Sequence, residues 1–290
     1  MNTADLIKTI RALEIKTKGL TKQVFSGQYK SAFKGRGMAF SEVRDYQIGD
    51  EIRTIDWNVT ARYNSPFVKV FEEERELNVM LLVDVSASEA FGTQKQFKKE
   101  LITELCAVIS FSAATNNDKI GVIFFTDKIE KFIPPKKGKS HILRIIRELI
   151  NFTPQGKKTN ITQALRYLTN VIKKKSIVFV VSDFLTEGFE DAIKIANRKH
   201  DIVALRISDK AEKTLPNIGL IKVKDNETGE IKWVNTSDRI FRKNYEERSM
   251  QFTRKLDEIF NRAGVDHAEI DTVRGYVKPL MNLFRRRELR

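Results

Sequence analysis

The chain has 290 residues, 41% of them hydrophobic, and a single cysteine, Cys106. This length and apolar content allow a sizeable core in one or two domains, while one cysteine excludes an internal disulfide and fits a reducing compartment. No stretch reaches the about 18 consecutive apolar residues of a membrane-spanning helix, and the charged N-terminal residues contain no uninterrupted apolar run. We therefore expect a soluble, cytoplasmic protein.

The net charge is +14, from 52 basic and 38 acidic residues. Such a surplus attracts nucleic acid, an anionic surface or an acidic protein. The basic residues are scattered, with local clusters at 136–137, 173–175 and 285–287 among others. Scattered charge is typical of a solvated surface, so nucleic-acid binding remains an alternative and not the leading hypothesis.

The first 75 residues combine a predicted helix with a charged segment. Residues 3–16 place Leu6, Ile10 and Leu13 at helical spacing, which predicts an amphipathic helix packed on the body of the protein. Between residues 35 and 71, arginines alternate with acidic residues, Gly49-Asp50 indicates a turn and the end alternates like a strand. These charges predict a surface network of ion pairs or, alternatively, an arginine site for phosphate or an acidic ligand.

The apolar run Val79–Val83, which ends in Asp84, is predicted to be the central strand of the fold. Its five apolar residues, Val79–Val83, are too few for a free-standing helix and are typical of a strand covered on both faces of a parallel sheet. Asp84, Ser86 and Ser88 follow at every second position, at the edge where open α/β sheets bind ligands. A carboxylate and two hydroxyls are hard oxygen donors that suit Mg²⁺, although the same residue types also cap helices and form turns. Both interpretations are open at this point.

Helical and strand patterns alternate beyond Ser88. Helices are predicted near 94–114, 141–150, 161–172, 189–199 and 239–262, and strands at 120–125, 129–133, 176–182, 202–207, 220–223, 231–234 and 267–270. Repeated strand-helix units predict an α/β fold with a doubly wound, mainly parallel sheet. Cys106 is expected to pack in the core, and Gly264 to end the last long helix. The basic tail, 276–290, is predicted to be a helix docked on its own domain, with an anionic membrane or a partner as the alternative.

Two more oxygen donors follow at the ends of predicted elements. Thr159 opens a helical pattern, and Asp183 ends a buried strand pattern. A D-x-S-x-S motif, a helix-opening threonine and a strand-terminal aspartate, in this order, resemble the metal-ion-dependent adhesion site of von Willebrand factor A domains. The resemblance implies Mg²⁺ or Mn²⁺ contacted directly by Ser86, Ser88 and Thr159 and through waters by Asp84 and Asp183. One metal position would stay open for a partner's carboxylate. Lys157 and Lys158 stand where many such domains have glycines, and they would weaken the site unless they point to solvent.

The segment before the central strand resembles a bacterial family, the "domain of unknown function 58" proteins. The family signature R-x-Y-x-x-G-D-x-x-R-x-I-D-W matches Arg44, Tyr46, Gly49, Asp50, Arg53, Ile55, Asp56 and Trp57. The resemblance covers about residues 35–270 and implies a von Willebrand factor A-like (Rossmann-like) fold and association with MoxR-type AAA+ ATPases. Candidate partner-binding residues in the signature are Arg44, Asp50, Arg53, Asp56 and Trp57. We expect residues 1–75 to pack on an A-like domain at 76–275, with Ile55 and Trp57 contributing to that contact.

The motifs do not favour an enzyme. A haloacid-dehalogenase-type phosphatase needs a second aspartate two positions after Asp84, where Ser86 stands. The chain has no G-x-S-x-G or G-x-x-x-x-G-K-[ST] motif, and its three histidines lie in helix or strand patterns without a catalytic motif. The leading hypothesis is a non-enzymatic, metal-dependent protein-binding module. The alternatives are a metal-dependent phosphohydrolase and a nucleic-acid-binding protein.

Overall fold

The computed structural model describes residues 37–63, 65–74, 77–86, 98–224 and 230–289. The predicted helix at 3–16 and the predicted metal ligand Ser88 lie outside these ranges. The chain divides into a small unit, Lys34–Leu77, and a large unit that includes Asn78–Arg290. The expected contact of Ile55 and Trp57 with the A-like domain stays a prediction.

The small unit is built on an antiparallel strand pair. Strand β1 (Gly37–Asp45) pairs with β2 (Phe67–Glu74), with a bulge between Phe40 and Glu42. The connection contains the predicted turn, in which Gly49 has a positive φ of 111°, a 3-10 turn (Ile52–Thr54) and helix α1 (Trp57–Tyr63). Helix α1 was not predicted from the sequence.

The large unit contains a six-stranded sheet in the order β10-β7-β6-β3-β4-β5. Its strands are β3 (Asn78–Asp84), β4 (Lys119–Phe125), β5 (Ile129–Lys136), β6 (Ile177–Ser182), β7 (Asp201–Ser208) and β10 (Asp266–Asp271). All neighbours pair in parallel except β5, which is antiparallel to β4 at one edge. The predicted fold class, an α/β fold with a doubly wound, mainly parallel sheet, is confirmed.

Helices cover the sheet on two faces. They are α2 (Lys98–Thr115), α3 (Lys139–Asn151), α4 (Ile161–Val171), α5 (Glu190–Lys199), α6 (Lys210–Lys213), α7 (Arg239–Ala263) and α8 (Val277–Glu288). Met80 and Leu82 of β3 pack in one core with residues of α4, α5 and α7, while Val79, Leu81 and Val83 point the other way and are equally buried. A strand with no solvent-facing side has to be apolar throughout, which is why the β3 sequence is an uninterrupted apolar run.

Three further predictions are confirmed in this unit. Cys106 is buried on α2, and burial raises the pKa of its thiol, as expected of a core residue. Gly264 ends α7 with a left-handed φ of 65°. The strands predicted at 220–223 and 231–234 are present as β8 (Leu220–Lys224) and β9 (Ile231–Asn235), which pair antiparallel as a hairpin.

The basic tail forms helix α8 docked on its own domain. Leu280, Leu283 and Phe284 are buried, and Arg287 binds the carboxylates of Asp201 and Asp266. This arrangement confirms the preferred prediction for the tail. Within the described residues, no helix is long and apolar enough to cross a membrane.

Candidate functional site

The candidate site lies where the chain path changes direction across the sheet. Strand β3 has β4, the next strand in sequence, on one side and β6 on the other. Ligands of open α/β sheets bind in the crevice that forms at such a point, outside the carboxyl ends of the strands. Asp84 ends β3. Ser182 ends β6 and Asp183 comes directly after it, at the same edge of the sheet, so these side chains flank this crevice.

Asp84 is almost completely buried, and hydrogen bonds fix both of its carboxylate oxygens. Oδ1 accepts from the backbone N–H of Ser86 at 2.9 Å, and Oδ2 accepts from Ser182 Oγ at 2.7 Å. Burial, and secondly the negative charge of Asp183, raise the pKa of Asp84 to about 6, against hydrogen bonds from Ser86 and Ser182 that lower it. A carboxyl with its pKa raised in a crevice is a feature of functional sites.

Thr159 reaches the same place from a loop before α4. Its Oγ1 lies 2.9 Å from Ser86 Oγ and 3.2 Å from Asp84 Oδ2. Asn160, the next residue, caps α4 by accepting a hydrogen bond from the backbone of Gln163, so the helix start fixes the direction of the loop. The structure thus brings together three of the five predicted metal ligands, Asp84, Ser86 and Thr159.

Glu130 holds the loop that carries Thr159. Its Oε1 accepts hydrogen bonds from the backbone N–H groups of Gln155 and Gly156, at 3.1 and 2.8 Å, and from Thr126 Oγ1 at 2.9 Å. Gly156 has no room for a side chain, because an added Cβ would lie 2.2 Å from Thr126 Oγ1 and 2.0 Å from Asp127 Oδ1. The sequence analysis did not identify Glu130, since its position in β5 gives no sign of contact with a distant loop.

Asp183 is buried at the end of β6, and its Oδ1 accepts a hydrogen bond from the backbone N–H of Leu185 at 3.1 Å. The next residue, Phe184, has a φ of 58°, in the left-handed region that a bulky residue rarely adopts. Such a conformation costs about 1–3 kcal/mol and persists where the surroundings enforce it, as at many functional sites. Here the Ser182 hydroxyl accepts the Phe184 N–H at 3.1 Å, and the phenyl ring packs against Phe260.

Lys98 is a member of this site that the sequence analysis missed. Its Nζ lies 3.3 Å from Asp183 Oδ2 and 2.6 Å from Glu212 Oε1, and its side chain has no exposed surface. Glu212 in turn belongs to the capping box of α6, which begins directly after β7. Lys98 stands next to Lys99 in the sequence, and a pair of lysines is normally solvated, so only the fold reveals its burial.

The donor set fits a small divalent cation. Two neutral hydroxyls and one carboxylate are gathered within hydrogen-bonding distance of one another, and Mg²⁺ prefers such hard oxygen ligands while keeping several waters. In the described part of the chain, no three His, Cys, Asp or Glu residues cluster as a metal site, so a cation at this edge would need hydroxyl ligands. Lys157 and Lys158 are exposed, and lysines that point to solvent would not weaken a metal site in the way considered above.

A cavity of about 160 Å³ borders Asp84 and Ser86. Lys99, Thr103 and Phe152 are among the residues that line its other walls. Pockets for small organic ligands usually measure about 300–1,000 Å³, so this cavity suits an ion with its waters better than an organic substrate.

The signature residues of the small unit form ion pairs. Arg44 donates two hydrogen bonds to Asp50, at 2.7 and 2.8 Å, and these bonds hold the pKa of Asp50 below its usual value. Asp56 lies 3.4 Å from Lys69 Nζ and accepts the backbone N–H of Asn58. Trp57 and Arg53 are exposed. Exposed aromatic and guanidinium groups beside ion pairs are compatible with both interpretations of this segment, a surface network of ion pairs and an arginine site for phosphate or an acidic ligand.

Comparisons with known proteins find relatives over most of the chain. Residues 42–254 match the family described as "Protein of unknown function DUF58". The uncharacterized protein Rv1480 of Mycobacterium tuberculosis strain H37Rv is 27% identical over 283 residues, which are 96% of this chain and 84% of the relative.

Solved structures show similarity of fold alone. An aerotolerance-related membrane protein from Bacteroides fragilis shares 16% identity, with a TM-score of 0.51 over 73% of this chain and 98% of its own. The SpRpn10 VWA domain has a TM-score of 0.35 at 9% identity, over 46% of this chain and 76% of its own. Because the family match spans well over half of its length, the chain belongs to the DUF58 family.

Proposed function

We propose that the protein is a non-enzymatic, metal-dependent protein-binding module. The metal, Mg²⁺ or Mn²⁺, is held by Asp84, Ser86, Ser88, Thr159 and Asp183. A carboxylate from another protein occupies the remaining position. The partner is a MoxR-type AAA+ ATPase, or the substrate that such an ATPase remodels, and this chain acts as an adaptor.

The contact of Thr159 with Asp84 and Ser86 carries the proposal. Its hydroxyl lies within 3.2 Å of both side chains, although it comes from a separate loop. Oxygen donors from two separate segments, the end of β3 and the loop before α4, thus gather at the edge of the sheet where ligands bind. A helix-capping role for Asp84 and Ser86 gives no reason for Thr159 to reach them.

The side chains divide into two kinds. The hydroxyl oxygens of Ser86 and Thr159 offer lone pairs without adding charge. The carboxylate of Asp84, in contrast, is held in place by hydrogen bonds from Ser182 and the Ser86 backbone. A divalent cation bound there would supply a positive centre whose charge the neutral hydroxyls do not cancel. The open position therefore favours an anionic oxygen, such as the side chain of Asp or Glu.

The identity of the partner rests on family resemblance and on charge. Proteins with this signature are thought to accompany MoxR-type ATPases. The net charge of +14 steers an acidic protein toward the molecule. The exposed Trp57 and Arg53 of the signature offer a second contact surface for the same partner.

Metal binding is tested on the purified chain with Mg²⁺ and Mn²⁺. A ligand present at about 100 times its Kd stabilises the folded state by about 2.7 kcal/mol, which a thermal melt detects. The double variant Ser86→Ala, Thr159→Val should keep its fold and lose this shift. The matched control is Thr162→Val, because the Thr162 hydroxyl binds Gly188 O and not the site. If millimolar metal changes neither the melt nor the calorimetric trace of the natural chain, the metal site is refuted.

Partner binding is tested by capture of the purified MoxR-type ATPase from the same organism, with and without chelator. Chelation and Asp84→Ala should each abolish capture. Undiminished capture in chelator would remove the metal bridge and leave the signature surface as the contact. Turnover of a generic phosphoester would instead favour a phosphohydrolase, and duplex binding with a steep salt dependence would favour a nucleic-acid-binding protein.

A further inference from the structure

The ammonium group of Lys98 lies inside the protein beside the candidate metal site. It contacts Asp183 at 3.3 Å and Glu212 at 2.6 Å, and the Lys98 side chain is 0% exposed. Removing an ammonium from water is costly unless opposite charges and hydrogen bonds compensate it. Negative charge at the carboxyl edge of the sheet therefore holds this lysine in place.

The same negative charge is what a metal at the site would use. Asp84 ends β3, Asp183 directly follows the neighbouring strand β6, and both carboxylates are buried. Lys98 adds one positive charge next to Asp183, from the side of α2. The Lys98 ammonium and a divalent cation in the crevice would both be attracted to the carboxylate of Asp183. Because the two cations would lie close together, they would also repel each other.

We propose that Lys98 is a built-in cation of the candidate metal site, which compensates Asp183 when no metal is bound and lowers the affinity for divalent cations. The inference rests on the proposed metal site and adds the residue that sets its affinity. Glu212 opposes this effect, because it draws the ammonium toward α6 and away from Asp183.

This role predicts an effect of opposite sign from that of a structural lysine. If Lys98 only shaped the site, its removal would distort the ligands and weaken metal binding. If Lys98 competes with the metal, its removal leaves Asp183 without that compensation, which destabilises the metal-free protein and strengthens metal binding. The direction of the change in affinity therefore separates the two roles.

The experiment compares the full chain with Lys98→Met, whose unbranched side chain is one atom shorter and uncharged. Mn²⁺ is titrated calorimetrically, and thermal melts are recorded in chelator and in Mn²⁺. We expect Lys98→Met to bind Mn²⁺ at least tenfold more tightly, to melt lower in chelator and to gain more from metal than the natural chain. The matched control, Lys194→Met, removes an exposed lysine of α5 and should change neither quantity.

A second variant keeps the proposal testable if Lys98→Met does not fold. Glu212→Gln leaves Lys98 bound to Asp183 and should weaken Mn²⁺ binding several-fold, opposite to Lys98→Met. Unchanged or weaker binding by Lys98→Met, or unchanged or tighter binding by Glu212→Gln, overturns the inference while metal binding by the natural chain still supports the proposed function. Binding by Lys98→Met alone supports the inference and sinks metal dependence in the natural chain. Binding by neither protein overturns both.

Discussion

The hydroxyl of Thr159 lies 3.2 Å from the carboxylate of Asp84, although 75 residues separate them in sequence. Asp84 ends the central strand, and Thr159 precedes the helix that leads to the neighbouring strand β6. The crossover that places β6 beside β3 also returns the loop before α4 to the carboxyl edge. The site is thus a consequence of the strand order, and its precision depends on the side chains that fix each loop.

Replacing Asp84 by Asn should stabilise the metal-free protein and abolish its response to metal. The carboxylate is 1% exposed and is repelled by Asp183, so its charge opposes folding when no cation is bound. Asn keeps the shape and can still accept from Ser86. We expect a gain of about 1–3 kcal/mol at pH 8 in chelator, measured by urea denaturation. Loss of stability in Asp84→Asn would mean that the carboxylate is a structural hydrogen-bond acceptor above all else.

The loop that carries Thr159 should be sensitive to Glu130. Glu130→Ala removes one acceptor from two backbone N–H groups and a hydroxyl, which should cost about 2 kcal/mol and loosen Thr159. Metal affinity should fall with it. The control Glu148→Ala removes a carboxylate that pairs with Lys131 on the partly exposed surface, and should leave metal affinity unchanged.

Gly156→Ala should also lower stability and metal affinity, because its methyl group would crowd the loop that carries Thr159. The new methyl group would meet Thr126, which is buried and bound to Glu130, so it cannot move aside cheaply. An overpacked position of this kind costs about 1–3 kcal/mol. Thermal melts and Mn²⁺ titration of the variant measure both effects. A variant as stable as the natural chain, with unchanged affinity, would show that the loop adapts.

The sequence predicted the fold and the shared location of several candidate site residues because both depend on local patterns. The apolar run of β3, the strand-helix alternation and the order of Asp84, Thr159 and Asp183 were sufficient to place these three residues at one edge. The glycine that ends α7 and the hairpin were likewise local signals.

Lys98 and Glu130 could not be predicted because their roles depend on contacts with distant residues. Lys98 is bound to Asp183, 85 residues away, and Glu130 to the backbone of Gly156. Sequence patterns indicate which face of an element is apolar, but they do not indicate which charged side chain a tertiary contact will bury. The left-handed backbone of Phe184 was equally unpredictable, since nothing in its residue type favours that conformation.

Arg287 should anchor helix α8 to the sheet. Its guanidinium, 11% exposed, bridges Asp201 of β7 and Asp266 of β10. Arg287→Met would leave these carboxylates without that partner, and we expect a loss of about 2 kcal/mol and faster proteolysis within α8. The control is Arg285→Met, an exposed arginine of the same helix. Equal stability of the two variants would show that Leu280, Leu283 and Phe284 hold the helix by themselves.

His200 should make the protein less stable in mild acid. It is 1% exposed, and neither ring nitrogen has a hydrogen-bond partner among the described residues. Burial, and secondly the charge of Lys199, lower the pKa of His200 to about 4, whereas the unfolded chain has the usual value near 6.5. Between these values the unfolded state binds the extra proton, so stability is complete above pH 6.5 and falls as the pH drops toward 4.

This pKa shift of His200 corresponds to a loss of up to about 3 kcal/mol in the free energy of unfolding as the pH falls. His200→Leu replaces the ring by an apolar side chain of similar volume, and it should remove this part of the acid dependence without destabilising the protein at pH 8. Urea denaturation of both proteins at pH 8, 6, 5 and 4 gives the difference directly. We expect the variant to gain on the natural chain steadily below pH 6.5. A constant difference across the series would show that the imidazole has the same pKa in the folded and the unfolded state.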